Sequence, residues 1–165
     1  MKKLRMIPLV LLMLATAACR NEQPVCDVAA EKDAIKLALQ KYVIANEAKN
    51  ISMIEELWAN DTAVLSLGTE RRDVIRGFDA VRQTFESQFE RFEDTFISAR
   101  DLMIYVHPAC ESGWFSEVLQ YNFTIGEKIY EYSDLRFSGF LEKRDGKWVI
   151  LHTHLSAPAD NNNMK

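Results

Sequence analysis

A chain of 165 residues, 48% hydrophobic and 27% charged, has the size and balance of one globular domain, which excludes a two-domain enzyme. It holds only six Gly and four Pro, and nothing recurs at periods of about 20 to 50 residues, so collagen-like, linker-rich, solenoid and propeller architectures drop out. The net charge is −4, and because Lys2, Lys3 and Arg5 precede any acid, a chain beginning at Cys19 would carry −7. Nucleic acid is not an expected partner of so acidic a domain.

Residues 1–18 read as an export signal: a basic start, an apolar run over 6–15, and the small residues Thr16, Ala17 and Ala18 before Cys19. The apolar run is shorter than the about 20 residues a membrane-spanning helix needs. The string LATAAC resembles a bacterial lipoprotein lipobox, with Thr16 standing where that pattern prefers Leu. The resemblance implies cleavage before Cys19 and a lipid anchor on it, and Arg20 in place of Asp favours the outer membrane; a soluble periplasmic or secreted protein is the alternative. Residues 19–27 would then be a lipidated tether. Cys26 and Cys110 remain, either as a disulfide in an oxidising compartment or as two unpaired thiols. No Cys or His spacing suits zinc, and no metal or cofactor is expected.

From 28 to about 49, Ile35, Ala38, Leu39, Tyr42 and Val43 recur at three and four residues between charged positions, predicting an amphipathic helix. Ser52 and Glu55 form a capping box that would open a short helix holding Met53, Ile54, Leu57 and Trp58. A strand follows over 62–67. A third helix over 78–92 carries Phe78, Val81, Phe85, Phe89 and Phe92 on one stripe, read mainly as core. After Asp94 the period changes to two, predicting strands over 95–107, 114–125, 129–143 and 147–156. The last pair is joined by Asp145-Gly146, a strong hairpin signal. Helices first and a meander afterwards make the fold α+β: a curved antiparallel sheet of about four to six strands wrapped around three N-terminal helices, with a cone-shaped cavity inside. Residues 158–165 are read as a disordered tail.

This order, closed by R-D-G-K-W-V-I-L-H-T-H-L-S over 144–156, resembles the SnoaL-like branch of the nuclear transport factor 2-like superfamily across residues 28–157. The Gly-Lys-Trp followed by His-x-His-x-Ser is also similar to the calcium/calmodulin-dependent kinase II association domain and to ketosteroid-isomerase-like proteins. The resemblance implies a cone-shaped roll and a homodimer formed through the sheet. It leaves the chemistry open, because the superfamily includes isomerases, cyclases, dehydratases, epoxide hydrolases, binding modules and oligomerisation hubs.

Strict alternation along the last strand would put Trp148, Ile150, His152, His154 and Ser156 on one face, and the resemblance suggests that this face looks inward. It also suggests an inward Arg136 on the preceding strand. The expected site is therefore Arg136 and His154, helped by His152, holding an anionic or carbonyl-bearing small molecule between Trp58, Phe85 and Tyr121. The alternative is that the histidines are structural and Arg136 pairs with Asp134, Glu117 or Glu131. Three function classes follow: a ligand-binding domain at the cell envelope, a small isomerase, dehydratase or cyclase with His154 or His152 as proton carrier, and a non-catalytic interaction or oligomerisation module. Of the strand acids Asp101, Glu117, Glu131, Asp134 and Glu142, none stands out as a base in an apolar cavity.

Overall fold

The computed structural model of the protein describes residues 26–158. The export signal, Cys19 and the tail from 159 onward lie outside the described residues. Helix α1 (Val28–Glu47) starts at Asp27, whose carboxylate accepts the N–H groups of Ala29 and Ala30 at 3.1 Å each. At its far end Glu47 accepts the Ile97 N–H at 2.8 Å, tying the helix to the sheet. Helix α2 (Ile51–Leu57) is capped by Asn50, whose side chain accepts the Met53 N–H at 3.0 Å. The expected Ser52 capping box is not used, because Lys49 turns through the left-handed region (φ 53°) and leaves Asn50, two residues upstream, extended at the cap.

Two short strands follow, β1 (Leu65–Leu67) and β2 (Val74–Arg76), then α3 (Phe78–Arg91). β1 is shorter than the strand predicted over 62–67, and β2 was not predicted, since three residues between Asp73 and Gly77 set no readable period. The long strands are β3 (Glu93–Val106), β4 (Ser112–Ile125), β5 (Lys128–Arg144) and β6 (Lys147–Ser156). They form one six-stranded sheet in the order β2-β1-β6-β5-β4-β3, antiparallel except where β1 runs parallel to β6. Asp145 and Gly146 both take positive φ (51° and 77°), the primed turn their dipeptide favours.

The sheet curls through bulges. One lies in β3 between Arg100 and Met103, one between β4 and β5 beside Leu119, and one in β6 at Leu151. Inside the curl, Phe115 and Leu119 of β4, Phe137 and Leu141 of β5, and Ile150 of β6 pack against Ile35 and Leu39 of α1. Cys26, just ahead of α1, is disulfide-bonded to Cys110 in the turn between β3 and β4, with Cα atoms 5.7 Å apart.

Candidate functional site

The resemblance's inward Arg136, and its inward face of β6 beyond Ile150, are not what the structure shows. On β5 the buried positions are Leu135, Phe137 and Leu141, so Arg136 points out, exposed, between Val118 of β4 and Ser156 of β6. On β6, Trp148 and Ile150 are buried, but the bulge reverses the parity. Leu141 pairs with Ile150 and Phe140 with His152, so Leu151 is the extra residue. Beyond it Thr153 is buried and Leu155 packs against the core, whereas His154 is exposed on the outer face. His152 is half-buried on that same face, its Nδ1 donating to the Leu65 carbonyl oxygen at 3.0 Å.

Arg136, His152 and His154 therefore do not line the interior. Trp58 and Phe85 are inside but lie in the core: their rings are 6.4 Å apart, and Phe85 also meets Tyr42 edge-on at 6.0 Å. Asp134, one suggested partner of Arg136, pairs instead with Arg100. Of the six expected ligand contacts, Tyr121 alone lines the large cleft.

That cleft, about 820 Å³, opens between α3, the segment 68–76 and the far halves of β4 and β5. Its walls are aromatic. Phe123 stacks on Phe92 at 3.9 Å and on Tyr130 at 5.1 Å, and sits 5.5 Å from Tyr121 and 6.1 Å from Tyr132. The phenylalanine stripe of α3 thus divides, Phe85 joining the core and Phe92 the cleft wall. Polar groups ring this surface: Gln83 and Gln88 from α3, Arg91 in its last turn, Arg76 from β2, and the acids Glu70 and Asp73 from the segment ahead of β2. Neither arginine has a carboxylate within ion-pair distance among the described residues. The volume lies within the range of small-molecule sites, and apolar walls with a few converging polar groups are their usual make-up.

A second feature of the interior is Glu117. It sits on β4 between Phe115 and Leu119, pairs across to Phe137, and is only 4% exposed. Burial alone pushes its carboxyl up to about 7. The phenols of Tyr42 and Tyr121 feel the same desolvation and are pushed well up, with Tyr42 raised further by its neighbours Tyr121 and Glu117. The strand pattern held the signal for Glu117, an acid at the same parity as Phe115 and Leu119, yet its isolation follows only from the packing of α1 above it.

A family profile for the SnoaL-like domain matches residues 35–160, well over half of the chain. The chain belongs to the SnoaL-like family. No curated protein matches it in sequence. Among solved structures, this SnoaL-like domain is similar to a nuclear transport factor 2-like superfamily protein from Salmonella enterica serovar Typhimurium, at 14% identity and TM-score 0.74, over 83% of this chain and 97% of that one. A protein from Streptomyces avermitilis, suggested to be a dehydratase of the same family, superposes with TM-score 0.71 at 12% identity over 80% of this chain and 99% of that one. A third, suggested to be a scytalone dehydratase, from Novosphingobium aromaticivorans, gives TM-score 0.69 at 16% identity over 79% and 86%. At such identities the likeness is one of fold.

Proposed function

We propose that this SnoaL-like domain binds a small, flat, largely apolar molecule bearing an anionic or carbonyl group in the cleft between α3 and the β4–β5 sheet. The observation that carries the reading is an aromatic-walled space of about 820 Å³ ringed by two arginines with no ion-pair partner among the described residues. Stacking on Tyr121, Phe123 and Tyr130 would hold the body of the ligand, and the forked guanidinium of Arg91 or Arg76 would take its charged or carbonyl end. The test is a thermal-shift panel of aromatic carboxylates, sterols, polyketide-like compounds and fatty acids, run beside Arg91→Ala and Arg76→Ala. A midpoint rise that either variant loses supports the reading, because a ligand confined to the native state stabilises it by mass action. A panel with no rise, or one indifferent to both variants, rejects it.

A histidine-based isomerase or dehydratase has less support, since His152 and His154 lie on the opposite face of the sheet from this cleft. In the same reading the protein is exported and lipid-anchored through Cys19 at the envelope. The basic and apolar residues 1–18, the LATAAC string and a disulfide that needs an oxidising compartment support this. A second copy is the proposed partner on the outer sheet face, where Met103, Tyr105, Trp114 and Phe140 are exposed close together and Tyr105 stacks on Trp114 at 5.8 Å. Light scattering that reports a monomer at tens of micromolar would remove it.

A further inference from the structure

Between α1 and β3 lies a separate cleft of about 310 Å³, lined by Leu39, Val43, Ala99 and Leu102, with Glu117 as its buried polar group. The bulge in β3 faces this glutamate: Arg100 pairs with Val118 and Met103 with Ser116, so the two residues Asp101 and Leu102 span the single position of Glu117. A bulge there parts β3 from β4 locally and leaves the carboxyl facing the cleft.

The groups around Glu117 can be named element by element. From α1 come Lys36 and Gln40 at the rim and Tyr42 on the inner side; from β3, Arg100 and Asp101; from β4, the uncharged Phe115 and Leu119 on either side; from β5, the uncharged Phe137. Arg100 is already held by Asp101 and Asp134. Among the described residues no hydrogen bond or ion pair satisfies the Glu117 carboxyl, and burial alone sets its proton affinity. A buried carboxyl with no partner is costly once ionised, and a cation delivering N–H donors is the partner that relieves that cost most.

We propose that the α1–β3 cleft is a second binding site, independent of the large cleft, which takes a small organic ammonium: its short apolar body against Leu39, Val43 and Leu102, and its nitrogen on the Glu117 carboxylate. The size of the space suits a compact ligand, at the lower end of small-molecule sites. Lys36, exposed on a flexible stem, is the competing cation.

The experiment compares n-butylammonium with n-butanol, its neutral equal in size, on the thermal midpoint of the protein near pH 8 at matched ionic strength. Butylammonium should raise the midpoint where butanol does not, and the apparent affinity should fall about tenfold or more in Glu117→Gln. Lys36→Met should strengthen the response, and lowering the pH to about 5.5, where the carboxyl is protonated, should weaken it. Ala99→Phe, an exposed lining position, blocks the cleft without entering the core and should abolish the response even if Glu117→Gln fails to fold. Equal responses to the amine and the alcohol, or an amine response that survives both Glu117→Gln and Ala99→Phe, overturn the proposal. Arg76→Ala and Arg91→Ala should leave it untouched, which separates this site from the large cleft.

Discussion

Glu117 is costly to the fold at neutral pH. Its carboxyl ionises at about 7 in the folded chain against 4.5 when exposed, so between those values the folded state keeps a proton that the unfolded state has released. Stability therefore falls as pH rises through that window, by about 3 kcal/mol in total. Glu117→Gln removes the titration, and denaturant unfolding should show variant and wild type nearly equal near pH 4 and the variant more stable by up to about 3 kcal/mol near pH 8; equal stability at both would contradict the assignment. Gly139 acts through size alone. A Cβ there would collide with the His152 carbonyl oxygen and the Phe115 ring, so Gly139→Ala should cost about 1–3 kcal/mol in a urea titration. At this scale the sequence was legible in part. Tyr121 was named and lines the large cleft, while Arg76, Arg91, Tyr130 and Tyr132 were not, because what gathers them is the approach of α3 and the segment 68–76 to the sheet, a long-range event with no local pattern.

Elements were more legible than sites, because helical and strand periods are written in neighbouring residues. The three helices, the four long strands and the Asp145-Gly146 turn follow from spacing alone. The face of β6 does not, since one inserted residue inverts everything after it. Leu151 shows no compositional mark of a bulge, and reading through it turns His152, His154 and Ser156 inward on paper. The bulge can be tested directly. Deleting Leu151 would close the bulge with Ile150 still opposite Leu141 and His152 still opposite Phe140, so His152, His154 and Ser156 would keep their outward face. The deletion, like Leu151→Ala, should therefore still unfold cooperatively, with a loss of about 1–2 kcal/mol in a urea titration, and a deletion that abolishes cooperative unfolding would contradict the bulge.

Across the whole molecule, the disulfide joins residues 84 apart in sequence and closes about half of the chain into one loop. Restricting the unfolded state over such a length is worth about 4.5 kcal/mol on the chain-entropy view, within a typical range of roughly 2–5. Reduction, or Cys26→Ser with Cys110→Ser, should lower the urea midpoint accordingly and leave ligand binding in the large cleft intact when measured well below that midpoint. The outer sheet face belongs to this scale too. Trp114→Glu puts a charge beside Tyr105 and Phe140, and light scattering should then report a monomer, with unchanged folding by circular dichroism.

The bond at Cys26 also fixes which way the molecule looks. Cys110, the β5–β6 turn and the start of α1, held by Glu31 to Lys143 and Trp148, all gather at one pole. The large cleft opens at the other, by Tyr121 and Tyr130, and along β4 the nine steps from Ser112 to Tyr121 span about 30 Å. A lipid on Cys19, only seven residues before Cys26, would tether the first pole to the bilayer and turn the second toward open water. On the proposed function, a domain hung in that orientation would collect a ligand from the aqueous compartment and not from the leaflet that holds it.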